Sequence, residues 1–372
     1  MSKLKRSFAM QHHRPLAARF GFILPLILPS AALTQQPASS LGPLRPKANF
    51  NPGDAAIVDQ WIDGLIEAYL AVIAKAGEGD PGPNDVAMIK AKAYADFSQA
   101  FLDELNARDA GEPFKVFLVE QAAEKFAALF AQGRQLNVDL ARTLAMTLVD
   151  INRVAARVAL IAGLSFPDAE VRYHCAKAFV QLRSNIKVDN RLLQQIMRTL
   201  ETAGKAEANP VVLKRIYTAL LFTNDDKPLP ESLAITLDIL TTRIARWKGG
   251  MLVIDDGDVP AFALLKEHTN LLTPAQRDSL VSALAVLLRM DVQRYAQPPL
   301  PAAVKFTLGY RIWLTEDLLE ALVGNGPNPD IREALLRDVA KDMVDRLDLW
   351  IGNAQKPGLL NAAPWNVPVG AP

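Results

Sequence analysis

The stretch "SFPDAEVRYHCAKAFVQLR", Ser165 to Arg183, carries a helix start, a helix face and the chain's only cysteine. Pro167 suits a first turn because its missing N–H would have had no intrahelical partner there. Asp168 beside it is a good cap for the free N–H groups that follow. From there Val171, Cys175, Phe179 and Leu182 recur every three or four residues, which places them on one face of a helix. Cys175 therefore reads as a small core hydrophobe. A catalytic cysteine–histidine pair needs thiolate and imidazole within hydrogen-bond reach, whereas neighbours on a helix point about 100° apart. His174 borders the buried face and is not aimed at Cys175.

The helical period continues on both sides of this stretch. Asp54 is a cap for a first helix bearing Ile57, Trp61, Leu65, Tyr69, Val72 and Ile73, and "GEGDPGPN" stops it before Asn84 caps the next. Phe114, Leu118, Ala122, Phe126, Leu129 and Phe130 predict a third helix. Asn137 opens a long fourth, through Leu140, Leu144, Leu148, Val154, Val158 and Ile161. No segment alternates with period two long enough for a sheet, and "MLVID", Met251 to Asp255, reads as a short extended connector. None of the prolines between Asp54 and Ile351 needs a helix interior. Pro113, Pro167, Pro210, Pro260, Pro274, Pro301 and Pro329 fall at predicted starts and divide the chain into about a dozen helices.

The Pro167–Leu182 text resembles the second helix of a HEAT repeat, where a proline and an aspartate lead into an aliphatic–arginine pair and then small, apolar residues. The matching positions are Pro167, Asp168, Val171, Arg172, Ala176, Ala178, Phe179 and Leu182. Partial copies follow in "NPVVLKRIYTALL", with Leu213 and Lys214 in the aliphatic–arginine places, and in "NPDIREALLRDV", with Ile331 and Arg332. Val171 to Leu213 spans 42 residues, within the roughly 40–47 of HEAT or armadillo-like units. The resemblance covers residues 137–351 and implies an all-α fold, a right-handed α-solenoid of antiparallel helix pairs. It also implies that Asp168 and Arg172 form polar links between adjacent repeats, a ladder that Lys214 would continue less well. Residues 54–136 carry helices without the repeat text and are either a cap or a separate small bundle.

The two ends read differently. Residues 1–34 hold five basic residues and no acid, then the apolar run "FGFILPLILPSAALT". This is the layout of a signal peptide cut near Ala32 or Thr34, and the run is shorter than the ~20 residues of a bilayer span. Residues 35–53 read as a flexible linker, and residues 352–372 as a Pro/Gly-rich tail in which Trp365 either folds back or docks elsewhere. The whole chain has 41 basic and 40 acidic residues, so removing the signal leaves it mildly acidic with no basic cluster. Nucleic acid is therefore not an expected partner.

Chemistry is sparse. His174 and His268 are the only histidines beyond residue 34, too few for a zinc set. In "DDGD", Asp255 to Asp258, a calcium loop begun at Asp256 would reach Glu267 at its twelfth position but has Pro260 at the fifth and Ala261 where the sharp-turn glycine belongs, so the stretch reads as a solvated turn with Asp258 capping a helix. "NDDK", Asn224 to Lys227, reads as a turn. No nucleophile elbow, phosphate loop or dinucleotide fingerprint occurs, and no cofactor is expected. Tyr310, Arg311 and Trp313 form the densest group of hot-spot residue types, and with Trp365 they are the expected partner surface. The expectation is an exported, non-enzymatic scaffold that binds a protein or peptide partner in the cell envelope, with no membrane span once the signal is removed. The alternative is a helical hydrolase or lyase acting on envelope polymer.

Overall fold

The computed structural model describes residues 40–77, 82–250, 253–297, 299–324 and 329–368. Within them the fold is all-α. The helices are α1 (Pro52–Ala76), α2 (Pro83–Asn106), α3 (Glu112–Phe130), α4 (Val138–Ile151), α5 (Arg157–Gly163), α6 (Ala169–Ile186) and α7 (Asn190–Ala206). They continue as α8 (Pro210–Leu220), α9 (Pro230–Lys248), α10 (Val259–Glu267), α11 (Pro274–Ala296), α12 (Ala302–Val323), α13 (Ile331–Arg337) and α14 (Ala340–Ile351). A two-residue hairpin, β1 (Thr223–Asn224) and β2 (Lys227–Pro228), closes the "NDDK" turn. Asp225 and Asp226 both take positive φ there, the backbone a tight hairpin needs. The expected export signal, residues 1–34, lies outside the described residues.

Several starts follow the proline rule: α1, α2, α3, α8, α9, α10 and α11 each hold proline in the first two positions. Asp168 caps α6, its carboxylate accepting from the N–H groups of Glu170 and Val171. The cap of α1 is Asn51, three residues earlier than expected. Its side chain accepts from Gly53 and Asp54 N–H, and the Asp54 carboxylate returns a bond to Asn51 N–H. Gly82, not Asn84, precedes α2.

Helices pack mainly on the next but one. In one row α2, α4, α6, α8, α10 and α12 each contact their successor; in a second, α1 packs on α3 and α3 on α5, and α7 on α9, α9 on α11 and α11 on α14. In the first row α2 and α4 run parallel. Lys90 meets Asp139 near the starts of α2 and α4, and Ser98 meets Asp150 nearer their ends. One apolar core runs through both rows, from Leu41 to Val367. The N-terminal helices join it directly, since Trp61, Phe97, Phe101 and Phe126 of α1–α3 pack edge-on or tilted at 4.9–6.5 Å between centroids. At the other end the buried Glu316 carboxylate of α12 accepts from Ile331 and Arg332 N–H and from the Trp350 indole, fastening α13 and α14 in one contact.

Two expectations change, and an alternative left open for the tail is decided. Residues 40–53 are not a free linker: Leu41 and Leu44 are buried, Arg45 makes a two-pronged pair with Glu104 at 2.9 and 3.0 Å, and Phe50 stacks on Phe117. The tail folds back as far as it is described, with Leu360 and Val367 buried and Trp365 half-buried against the core. The long fourth helix is broken. Asn152 adopts left-handed φ 47°, ψ 48° and ends α4, and a short 3₁₀ turn at Val154–Ala156 leads into the separate α5. Val154, Val158 and Ile161 keep the helical spacing of Leu140–Leu148, so apolar period alone concealed the break.

Candidate functional site

His174 and Cys175 do not make a site. The Cys175 side chain is fully buried, with its sulfur against Gly163 of α5, and burial pushes its thiol far above the ordinary range. The His174 imidazole packs edge-on against Tyr173, and burial lowers its pKa to about 4.

The expected partner surface is not one surface. Arg311 is 4% exposed and buried among α9, α11 and α12. Its guanidinium donates to both oxygens of the fully buried Asp291 at 2.6 and 2.8 Å and to the Val253 carbonyl, and it lies over the Trp247 ring. The reason is packing: Arg311 falls on the same helical face as Leu308, Thr315 and Leu318, all buried. Tyr310 and Trp313 are half-buried on α12, and Trp365 belongs to the folded tail.

The polar links are more extensive than the sequence suggested. The Asp168 carboxylate and the Arg172 guanidinium do not pair with each other. Asp168 takes a two-pronged pair from Arg142 of α4, at 2.8 and 3.1 Å, which holds its carboxylate below the usual range. Arg172 reaches forward to Glu207, both contacts at 2.8 Å, and Glu207 also accepts from Ala208 and Asn209 N–H ahead of α8. Each residue thus ties its helix to a neighbour of the same row. Lys214 pairs with Asp256 ahead of α10. Arg243 of α9 is buried too: its Nε contacts both oxygens of Asp258 at 3.1 Å while Nη1 donates to the Glu207 carbonyl. Asp258 is consequently buried, receives the Tyr217 hydroxyl, and makes no side-chain cap. The solvated-turn reading of "DDGD" fails at that residue, because the arginine that neutralises it comes from another helix.

The feature with the shape of a binding site was not foreseen. A cavity of about 640 Å³ opens where the last turns of α2, α4 and α6 meet. Its polar lining is Asn106, Asp150, Asn152, Arg153 and Asn185; its apolar wall includes Leu102, Leu105, Val116, Ile151 and Val154. The break after α4 is part of its wall, since Asn152, Arg153, Val154 and Ala155 all line it. Asp150 is positioned before any ligand arrives: its Oδ2 accepts from the Tyr94 hydroxyl and from Ser98 Oγ at 2.6 Å, both on α2. Burial and the Asp150 charge together raise the Tyr94 phenol, so it remains a donor. Arg153 is held by Glu112 of α3, and that bond lowers the Glu112 carboxyl. The signal available in the sequence was "DINR", Asp150 to Arg153, where three polar residues interrupt an apolar run and asparagine tolerates left-handed backbone.

Among the described residues no cluster of three or more histidine, cysteine, aspartate or glutamate side chains is placed to hold a metal. No described helix is long and apolar enough to cross a membrane. Comparison of the chain with protein-family models, curated proteins and solved structures finds no match.

Proposed function

We propose that the chain is an exported α-solenoid, a right-handed stack of antiparallel helix pairs of the HEAT or armadillo kind, that binds a protein or peptide partner in the cell envelope without catalysing a reaction. The observation that carries the reading is the cavity at the ends of α2, α4 and α6. Three asparagine amides and an oriented carboxylate line it beside an apolar wall, the mix of a few placed polar groups and apolar surface that small ligand segments use. Packing of alternate helices in two rows supports the stacked architecture, because neighbouring units then bury a common core and leave one end of each helix row free to contact a partner. Of the residues lining this cavity Asp150 alone is acidic, which favours binding over hydrolysis by paired carboxylates.

A photo-cross-linking residue at Asn185, in the native host, tests this. One abundant partner captured there, and not from Val158 on α5, is the expected result. Equal capture from both positions, or none from Asn185, overturns the proposal.

A further inference from the structure

We propose that the cavity at the ends of α2, α4 and α6 receives a single basic side chain, arginine or lysine, of an extended peptide; this rests on the binding reading above. Three independent features point the same way. The first is backbone electrostatics. The cavity is lined by Leu105 and Asn106 in the last turn of α2, by Asp150 and Ile151 at the end of α4, and by Asn185 at the end of α6. The terminal carbonyls of a helix have no intrahelical partner, and together they carry a partial negative charge that favours cations. Here three helices present that end to one space.

The second feature is Asp150. Both hydroxyl bonds fall on Oδ2, from Tyr94 and Ser98, which fixes the carboxylate plane and leaves Oδ1 for a ligand. The cation nearest in sequence, Arg153, is engaged by Glu112 and does not neutralise it. A charge-assisted bond to a guanidinium or ammonium is about twice as strong as a neutral one, and the aliphatic stem of such a side chain suits the wall formed by Leu102, Val116 and Val154.

The third is how the same row treats its next helix end. At α8 the chain supplies the cation itself: Arg183 donates to the Leu221 carbonyl at 2.7 Å and to the Thr218 carbonyl at 3.2 Å, and Lys187 reaches the Thr223 carbonyl. The end of α8 is thus filled by a guanidinium. At the cavity the last turns of α2, α4 and α6 line open space of about 640 Å³, and, among the described residues, the one guanidinium bond to a late carbonyl of α6, from Arg183 to Val180, lies within that helix.

The test uses blocked single residues as probes on the mature chain: N-acetyl-arginine N-methylamide, the lysine equivalent, and the neutral isostere N-acetyl-citrulline N-methylamide. Binding is followed by ligand-observed NMR. The arginine probe is expected to bind about tenfold more tightly than citrulline, and Asp150→Asn to remove that difference. Asparagine keeps an acceptor for Tyr94 and Ser98, and an unchanged thermal melt checks that the fold survives. Equal binding of arginine and citrulline to the unaltered protein, no binding of either, or an arginine preference that survives Asp150→Asn overturns the inference. The two proposals fail separately. A captured partner with no arginine preference leaves the scaffold standing and removes the basic-residue pocket; an arginine preference lost in Asp150→Asn, with no partner captured, does the reverse.

Discussion

Arg311 and Asp291 show how a residue type that suggests a surface becomes a core element. Two charge-assisted bonds hold them at 2.6 and 2.8 Å with neither side chain appreciably exposed. Trp247 lies between the Arg311 and Arg243 guanidiniums, at 4.9 and 5.2 Å from its ring centroid. Burial raises the Asp291 carboxyl, and the arginine opposes that rise. Removing one partner leaves an unpaired buried charge, so Arg311→Met should cost about 3–5 kcal/mol in urea unfolding, whereas Arg311→Met with Asp291→Leu should restore most of it. A double variant as unstable as the single one would mean that the arginine acts through its other bond, to the Val253 carbonyl. His174 gives a pH-dependent term of defined sign. Burial lowers its folded pKa to about 4, opposed weakly by Asp150 and aided by Lys177, while the unfolded chain protonates near its ordinary value of about 6.5. The unfolded state therefore binds more protons between those values, and stability falls as pH falls through that window. Asp258, Asp291 and Glu316, raised by burial, act with opposite sign in both wild type and variant. Allowing for partial exposure, wild type should lose on the order of 1–2 kcal/mol more than His174→Gln between about pH 7 and 4. Parallel urea midpoints for the two proteins would show that His174 titrates alike in both states.

At the scale of elements, α5 is held against α6 by a close approach. A Cβ on Gly163 would lie 2.3 Å from Cys175 Sγ and 3.3 Å from the Phe130 ring. Gly163→Ala should therefore destabilise by about 1–3 kcal/mol despite alanine's better helix propensity. Trimming the sulfur in Gly163→Ala/Cys175→Ala should recover much of that in thermal unfolding; an additive double variant would mean that α5 shifts as a unit. This contact was half legible. The spacing of Val171, Cys175, Phe179 and Leu182 placed the cysteine in the core, because helical period is a local property. Its partner Gly163 was not, since that depends on how α5 lies. The same division holds elsewhere. Proline positions marked the starts of α8, α10 and α11 because the constraint acts within one residue. The end of α4 was missed because a single left-handed Asn152 reverses the chain without disturbing the apolar rhythm on either side. Arg243 lies on α9 and Asp258 directly ahead of α10, so their pairing emerges only from packing. The cavity was only partly legible for a related reason: "DINR" marks the break after α4, but Asn106, Asp150 and Asn185 are brought together by helix ends far apart in sequence, which no local stretch records.

For the whole molecule, the decisive quantity is how length grows with helix count. Most helices contact chiefly their immediate and next-but-one neighbours, α11 on α14 being an exception, and in the proposed solenoid each such helix adds to the end of a stack and not to a common centre. In the proposed solenoid, seven layers of helix pairs spaced by about 9 Å extend roughly 60 Å, which with a cross-section of about 20 by 25 Å gives a radius of gyration near 20 Å but a maximum dimension of about 70 Å. A compact, roughly spherical chain of the same length as residues 40–368 would have a similar radius of gyration, about 20 Å, and a diameter of only about 50 Å. Small-angle scattering of that chain should therefore give a distance distribution with a long tail that extends to about 70 Å. This outcome bears on the binding proposals as well as on the shape. In a stack the ends of α2, α4 and α6 stay on one accessible edge, reachable by an extended peptide running along the row. In a compact arrangement later helices would close over them, and the oriented carboxylate of Asp150 would then be a structural group. A maximum dimension near 50 Å, that of a compact chain, would remove the solenoid and, with it, the physical basis for placing a partner along that edge.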